Sequence, residues 1–257
     1  MNGEIYQACC ITAAAKKALR EKSKLSYTPL KYESRIEFEF LPKKKLFSTE
    51  KYRAENVKAW YEYCLKRGLY DLKFLTPIAV NDRGILGFSN ASKSSIVCFN
   101  EADKVTYFTA QWEFDSVAKV WNIIYSERKW ADAPAGKPYF ENNNESFKFV
   151  LSQIIELSHK IDCDSFAGIF QKAIDILSGS SDIADTVNDM PLPEIPEENI
   201  RLFKAASTAD VFGAMGSWND SPPYLAHEKG MDKEYESLSN ELLKQVRLAT
   251  LYAINEW

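Results

Sequence analysis

Five short segments with recurring apolar residues follow one another between Lys73 and Glu127, and this run most constrains the fold of the chain. The links between the segments hold only a few residues each, and most of these residues are turn formers. Links of this length cannot contain crossover helices, so neighbouring strands should pair antiparallel in a β-meander. The predicted strands are KFLTPIAV, GILGFS, SSIVCFN, KVTYFTAQWEFD and AKVWNIIYSE.

Helical periodicity flanks this run on both sides. A first helix is predicted over about residues 3 to 22, and the strand SRIEFEFLP follows it. A second helix should begin after Ser48 or Thr49 and end at Gly68. Further helices are predicted at 145–160, at 164–177, near 197 and at 233–255. The predicted fold class is therefore α+β, with an antiparallel β-meander of about five to six strands packed with about five to six α-helices.

The length of 257 residues fits one large domain or two small ones. We expect a single α+β domain over residues 1–257. The alternative divides the chain at 178–199, a segment that is rich in Ser, Asp and Pro and contains no Lys or Arg. In that alternative, residues 1–177 form a mixed α/β core and residues 200–257 form a C-terminal helical subdomain after a surface linker.

Composition indicates a globular, cytoplasmic protein. Hydrophobic residues make up 46% of the chain, and no apolar run approaches the roughly 18 to 20 residues of a membrane-spanning helix. Glu4 precedes the first apolar stretch and basic residues follow it, which reverses the order of a secretory signal. The five cysteines are odd in number and scattered, as is typical of free thiols in a reducing compartment. We expect no membrane association.

Metal and cofactor chemistry has little support in the sequence. The nearest candidate metal site, His159–Asp164, has one His and one Cys at helical spacing, whereas a structural zinc site usually needs four well-spaced ligands. The segment Gly87–Ser95 approaches a phosphate-binding loop, but Ser92 replaces its second glycine and a predicted strand follows instead of a helix. We expect no metal site and no cofactor.

Charge is distributed unevenly along the chain, although the net charge is only −4. Residues 1–53 carry twelve Lys and Arg against six Glu, whereas residues 162–240 carry five basic and fifteen acidic side chains. The basic surplus is too small to favour nucleic-acid binding. The acidic region instead favours a basic protein partner, and the sequence leaves the oligomeric state open.

The segment ADVFGAMGSWNDSPP, Ala209–Pro223, lies between two helical patterns and combines two glycines and two aromatics with several turn-forming residues. This composition is typical of a shaped, ordered loop. In one interpretation, Phe212, Met215 and Trp218 fill the core while polar side chains bond the loop backbone. In the other, the segment binds a partner through an aromatic anchor with a polar rim. The candidate partner-binding residues are Phe212, Trp218, Asn219 and Asp220.

A second candidate site lies on the longest predicted strand. The residues predicted to face the core are Thr106, Phe108, Ala110, Trp112 and Phe114. If these alternate residues face the core, the side chains between them lie on the opposite face. That face suits a small polar ligand or a partner surface, and the ordinary alternative is a solvated sheet face. The candidate residues there are Tyr107, Gln111 and Glu113. By the same alternation, Glu37 and Glu39 on the earlier strand should face solvent.

Two function classes remain. The sequence has no G-x-S-x-G motif, and its only histidines are His159 and His227, so support for nucleophilic catalysis is weak. The leading hypothesis is a non-enzymatic cytoplasmic interaction protein whose acidic C-terminal region binds a basic protein partner, in the manner of an inhibitor or immunity protein. The alternative is a small hydrolase that uses carboxylates in a cleft on the antiparallel sheet.

Overall fold

The computed structural model describes residues 1–44, 49–101, 104–131, 133–134, 136–181 and 191–257. Within these residues it contains seven α-helices, a six-stranded sheet and a two-stranded ribbon. The chain divides into two compact units. The sheet unit comprises Tyr6–Leu75 and Lys93–Pro138, and the helical unit comprises Met1–Ile5, Thr76–Ser92 and Tyr139–Trp257.

The sheet unit contains every strand of the chain that the structure describes. The strands are β1 (Glu33–Glu39), β2 (Lys43–Lys44), β3 (Thr49–Glu50), β4 (Arg53–Ala54), β5 (Leu69–Leu75), β6 (Ser95–Asn100), β7 (Lys104–Asp115) and β8 (Val120–Lys129). Their order in the six-stranded sheet is β4-β1-β8-β7-β6-β5, and β2 pairs only with β3. Strands β5 to β8 pair antiparallel in succession. The predicted meander is therefore confirmed for these four strands.

The prediction of a purely antiparallel sheet is wrong, because β1 lies parallel to β8. The register places Phe38 opposite Tyr125. The connection from β1 to β8 runs from residue 40 to residue 119, which is long enough for a crossover, so no tight turn forces an antiparallel pairing. The sheet is mixed, with one parallel pair between the antiparallel meander and the short edge strand β4.

Two helices belong wholly or mainly to the sheet unit. Helix α1 is Gly3–Glu21, and its residues from Tyr6 onward lie in this unit. Helix α2 is Val57–Lys66, and its N-cap is Asn56, whose side chain accepts a hydrogen bond from Ala59 N at 2.8 Å. The predicted cap was seven or eight residues too early: Thr49 lies in β3, and Ser48 lies outside the described residues.

Aromatic rings form the centre of the sheet unit. Trp60 of α2 stacks on Phe38 of β1 with ring centroids 4.7 Å apart, and Phe38 stacks in turn on Tyr125 of β8 at 4.8 Å. Phe108 of β7 meets the edge of Trp60 at 5.8 Å. These four side chains are almost completely buried, so the core lies between α2 and one face of the sheet.

Glu37 does not face solvent as the alternation predicts. The residue is buried, and its carboxylate accepts hydrogen bonds from the Arg35 and Arg53 side chains. Glu39 on the same strand is exposed, as predicted. A buried carboxylate is tolerated where cationic donors pair with it, which explains why a charged residue can occupy this position.

The segment predicted as the strand GILGFS is a 3₁₀ helix, Arg83–Gly87, within the helical unit. Asp82 is its N-cap, and the Asp82 side chain accepts a hydrogen bond from Gly84 N at 2.8 Å. Short Asp-capped turns compete with strand pairing because the side chain bonds the local backbone. The predicted meander therefore loses one strand at this position.

The remaining helices form the rest of the helical unit. They are α3 (Asn144–Lys160), α4 (Asp164–Ser178), α5 (Glu197–Ala209), α6 (Pro222–Glu228) and α7 (Asp232–Asn255). Helix α4 packs on α3 and α5, and α7 packs on α3, α5 and α6. Fully buried Phe147, Phe170, Phe203 and Leu242 come from four different helices and form the core of this unit.

The segment 178–199, the predicted linker, connects α4 to α5 inside the helical unit. Gly179 ends α4 in a left-handed conformation, with φ of 76°. Residues 182–190 of the segment lie outside the described residues. The predictions of one domain, and of the alternative division at this segment, stay predictions.

Candidate functional site

The segment Ala209–Pro223 lies in the helical unit between α5 and α6, and its tryptophan is completely buried. The Trp218 ring contacts three aromatic rings, those of Phe166 at 5.1 Å, Phe170 at 5.4 Å and Tyr235 at 5.4 Å. Its Nε1 donates a hydrogen bond to Ser239 Oγ at 2.8 Å, which gives the buried indole N–H a partner. Trp218 is thus a core residue that holds the loop against α4 and α7.

The other candidate partner-binding residues differ in exposure. Phe212 is buried, whereas Asn219 is half-buried and Asp220 is exposed. Asn219 Nδ2 donates to the Arg83 carbonyl at 2.9 Å, and Asp220 Oδ2 accepts from Gly216 N at 2.7 Å. Both polar side chains therefore bond backbone groups, as the structural interpretation predicts. Contact of these residues with a partner stays a prediction.

Met215 is the one member of the predicted core set that the structure places outside the core. Its side chain is 94% exposed at the tip of the loop. Two further exposed apolar side chains, Ile85 and Phe88, lie on or directly after the 3₁₀ helix that packs against this loop. We call Ile85, Phe88 and Met215 the apolar rim. Exposed apolar side chains mark an interaction site where they form a continuous patch.

The 3₁₀ helix and the loop approach each other so closely that Gly87 has no room for a side chain. A Cβ atom at Gly87 would lie 2.3 Å from Ala214 N and 2.6 Å from the Gly213 carbonyl carbon. Arg83, at the start of the same 3₁₀ helix, forms an ion pair with Glu236 of α7, with Nη2 and Oε2 2.7 Å apart. The close backbone approach at Gly87 holds the 3₁₀ helix against the loop, and the ion pair holds it against α7.

An open groove of about 450 Å³ lies beside this contact. Phe166 and Ile169 of α4 and Leu86 of the 3₁₀ helix contribute apolar walls, and residues 210–217 contribute the loop side. Cavities that bind small molecules are commonly enclosed and mainly apolar, whereas this space is largely open to solvent. We call this space the loop cavity.

Asp210 supplies the acidic group of the loop cavity. Its Oδ2 atom is shielded from solvent and has no hydrogen-bond partner, and no ion pair to its carboxylate exists among the residues that the structure describes. The Met1 ammonium group, which also lies at this cavity, donates to two main-chain carbonyls instead, those of Ser207 at 3.1 Å and Asp210 at 3.3 Å. The Oδ2 atom is therefore not exposed to the open space of the loop cavity.

The candidate residues on β7 share one face of the sheet, as predicted. Gln111 and Glu113 are exposed, and Tyr107 is half-buried with its ring 6.3 Å from that of Trp130. On the opposite face Thr106, Phe108 and Trp112 are buried, as the alternation predicts, whereas Phe114 near the end of the strand is 50% exposed, so its predicted burial is wrong. Ligand binding by Tyr107, Gln111 and Glu113 stays a prediction.

Sequence reasoning missed a buried carboxylate at the start of β1. Glu33 Oε2 accepts hydrogen bonds from Leu30 N at 2.9 Å and from the Tyr27 hydroxyl at 3.3 Å. Burial raises the pKa of Glu33, although the Leu30 N–H and the Gln7 and Tyr27 side chains partly counteract the rise. Burial and the Glu33 charge together raise the pKa of the Cys10 thiol. The partners come from a helix and a loop, so no local motif marks the cluster.

No group of three or more His, Cys, Asp or Glu residues in the described part of the chain is arranged as metal ligands. At the predicted candidate, His159 Nδ1 lies 2.5 Å from Asp164 Oδ1, Asp162 pairs with Lys229 and Cys163 is buried. Among the described helices, none is long and apolar enough to cross a membrane.

The two units carry opposite charge. By sequence, the helical unit has 22 Asp and Glu against 10 Lys and Arg, which is a net charge of −12. The sheet unit has 14 acidic and 22 basic residues, a net charge of +8, and the two balances add to the −4 of the chain. The uneven charge of the sequence therefore follows the division into units. Comparisons of the chain with protein-family models, curated proteins and solved structures found no match.

Proposed function

We propose that this chain is a non-enzymatic interaction protein whose acidic helical unit binds a basic protein partner. The observation that carries the proposal is the concentration of charge, with −12 on the helical unit and +8 on the sheet unit. A surface of one sign raises the encounter rate with a partner of the opposite sign and disfavours partners of the same sign.

The acidic side chains are available at the surface of the helical unit. Glu145, Asp164 and Glu197 each have more than 70% of the side chain exposed. Each of them also lies in the first turn of its helix, and among the described residues each pairs with one Lys, Arg or His. Exposed pairs of this kind contribute little to folding stability, so these carboxylates are free to serve long-range attraction.

The apolar rim supports the same proposal. Protein interfaces combine apolar residues at the centre with polar and charged residues around them. Met215, Phe88 and Ile85 provide exposed apolar area, and they belong to the unit that carries the acidic charge. The proposal therefore places charge attraction on the helix surfaces and close packing at the apolar rim.

The experiment measures association rates of the full chain with a panel of small basic proteins and a matched acidic panel. Between about 50 mM and about 300 mM NaCl the Debye length falls from about 14 Å to about 6 Å. The rate with a basic partner should fall at least about tenfold over this range. No association with the basic panel, or an association rate that salt leaves unchanged, would refute the proposal.

A pair of charge variants localises the effect. The helical variant replaces Glu145, Glu197 and Glu198 by Gln, and the sheet variant replaces the exposed residues Glu55, Glu62 and Glu113 by Gln. Both variants remove three carboxylates, so the change in total charge is the same. Only the helical variant should slow association at low salt, and equal slowing by both would contradict the assignment to the helical unit.

A small carboxylate hydrolase stays the second candidate, and one observation favours it. Glu33 is a buried carboxyl group with a raised pKa that lies near Tyr27 and Cys10, and such groups are enriched at catalytic sites. The test is a screen of ester, glycoside and phosphate substrates with the wild type and Glu33→Gln. A turnover that Glu33→Gln abolishes while the protein stays folded would replace the leading proposal.

A further inference from the structure

We infer that a second copy of this chain is a basic partner of the helical unit, and that two copies associate head to tail. In this arrangement the helical unit of one copy contacts the end of the β7–β8 hairpin in the sheet unit of the other. The inference rests on the proposed function, because it names a protein that the acidic unit binds.

A continuous aromatic surface lies at the end of the β7–β8 hairpin. Phe114 lies opposite Trp121 in the strand register with ring centroids 5.1 Å apart, and the Trp121 ring lies 5.8 Å from that of Trp112. Phe114 is 50% exposed, Trp121 is half-buried and Val117 in the turn is 93% exposed. We call Phe114, Val117 and Trp121 the hairpin patch. Because its rings are in contact, the exposed area is continuous, as in an interaction site.

Two lysines lie beside the hairpin patch. Lys119 belongs to the turn between β7 and β8. Lys31 directly precedes Tyr32, whose carbonyl accepts a hydrogen bond from Trp121 N at 2.8 Å. Both lysines are exposed, and no ion pair to either exists among the residues that the structure describes. Their charges are therefore available to an acidic partner.

The acids near the hairpin patch do not cancel these charges at its surface. Asp115 bonds the turn itself, because its Oδ1 accepts from two backbone N–H groups of the turn at 2.9 Å each. Glu33, opposite Trp121 on β1, is buried. Glu113 lies on the other face of β7. The hairpin patch thus combines exposed rings with positive charge, which suits an acidic surface that also offers apolar side chains.

The helical unit of a second copy is such a surface. It carries a net charge of −12 together with the apolar rim, and Met215 and Phe88 of that rim are 94% and 65% exposed. Since Val117 is also exposed, neither surface is buried within a single copy. Contact between two hairpin patches would bring together two units of +8 each, whereas a head-to-tail contact joins opposite charges.

The first test is analytical ultracentrifugation of the full chain between about 5 and about 300 µM, a range suited to weak interfaces. In about 50 mM NaCl the average mass should rise with concentration above the 29.3 kDa of one chain. The dissociation constant should increase at least about tenfold in about 300 mM NaCl. A mass of one chain at every concentration refutes the inference, and so does self-association that salt leaves unchanged.

The second test places a carboxylate in the hairpin patch. Val117→Glu should weaken self-association at least about tenfold, and the fold should be kept because this side chain is almost fully exposed. Leu65→Glu is the matched control, since it adds the same charge at a 41% exposed apolar position on α2 of the same unit. The control should associate like the wild type. Equal weakening by both variants, or by neither, overturns the assignment to the hairpin patch.

The third test examines the head-to-tail arrangement by mixing two variants. The patch variant combines Val117→Glu with Lys119→Glu, and its partner is the helical variant with Glu145, Glu197 and Glu198 replaced by Gln. Each should self-associate more weakly than the wild type. An equimolar mixture should associate more tightly than either alone, because the intact helical unit of one variant meets the intact hairpin patch of the other. No recovery in the mixture refutes head-to-tail contact.

The same experiments separate this inference from the proposed function. Salt-dependent association with the basic panel by a chain that stays monomeric refutes this inference alone. A monomeric chain whose hairpin patch binds vesicles of anionic lipid, or acidic proteins, assigns the patch to another occupant and likewise overturns it. Self-association that Val117→Glu abolishes and the helical variant leaves unchanged contradicts the role of the acidic unit, and with it the proposed function.

Discussion

Trp218→Ala should destabilise the helical unit severely, because the side chain is completely buried. A tryptophan buries about 150 to 250 Å². At ~25 cal/mol per Å² this area corresponds to about 4 to 6 kcal/mol, of which alanine retains a small part. Measured losses for such core truncations are about 3 to 5 kcal/mol. We therefore expect the free energy of unfolding to fall by about 4 kcal/mol, which is a large fraction of the stability of a typical domain.

The hydrogen bond from Trp218 to Ser239 can be separated from the ring packing. Trp218→Phe keeps an aromatic ring against Phe166, Phe170 and Tyr235 but removes the N–H donor. Trp218→Phe should therefore lower the free energy of unfolding by roughly 2 kcal/mol less than Trp218→Ala does. A double-mutant cycle with Ser239→Ala should give a coupling energy of about 1 kcal/mol for the lost bond.

The assay is urea denaturation followed by far-UV circular dichroism, which reports mainly on the helices. Trp130→Ala, which changes a half-buried tryptophan of the sheet unit, is the control and should cost less than half as much. A Trp218→Ala protein that loses under about 1 kcal/mol would refute the reasoning. If that protein also lost a basic partner, Trp218 would be an interface anchor after all.

Three further predictions concern single contacts. Gly87→Ala should lower the free energy of unfolding by about 1 to 3 kcal/mol, because its Cβ would lie 2.3 Å from a backbone nitrogen. Gly168→Ala, in open space within α4, should instead raise the free energy of unfolding by about 0.5 to 1 kcal/mol. Thermal unfolding of both variants checks these opposite signs. The pKa of Glu33 is higher in the folded protein than in the unfolded chain, so protonation of Glu33 stabilises the fold. The free energy of unfolding should therefore increase as the pH falls from the folded pKa towards the unfolded pKa. Glu33→Gln should remove this part of the pH dependence in urea titrations. Arg67→Met should cost about 3 kcal/mol, because it leaves the buried Glu127 carboxylate without the cation 2.8 Å away, and the double variant with Glu127→Leu should recover much of that loss in the same titrations.

Local patterning predicted the elements whose sequence signals are strong and uninterrupted. Strand β7 has the predicted bounds, Lys104–Asp115, because its alternating residues fit one buried and one exposed face. The structure of the segment after β5 was harder to predict, because the sequence GILGFS fits a strand as well as a turn. Asp82 caps the 3₁₀ helix through its side chain, which favours the turn over the strand. A single capping residue leaves no repeating pattern in the sequence.

Pairings between distant residues could not be predicted in the same way. The burial of Glu37 depends on Arg53, and that of Glu33 on Tyr27 and the first helix, so neither residue carries a local signal of its burial. The loop cavity also depends on distant segments, because α4, the 3₁₀ helix and residues 210–217 all contribute walls. Composition showed that Ala209–Pro223 is an ordered loop, and only packing could show that Met215 points outward while Trp218 is buried.

The segment Thr76–Ser92 belongs to the helical unit although it lies in sequence between two strands of the sheet unit. During synthesis it leaves the ribosome well before Tyr139–Trp257, the part of the chain on which it packs. At about 5 to 20 residues per second, completing the roughly 165 residues that follow takes on the order of 8 to 33 s. Throughout that interval the unit on whose residues Leu86 packs is incomplete, so the apolar side chains of this segment wait for their core.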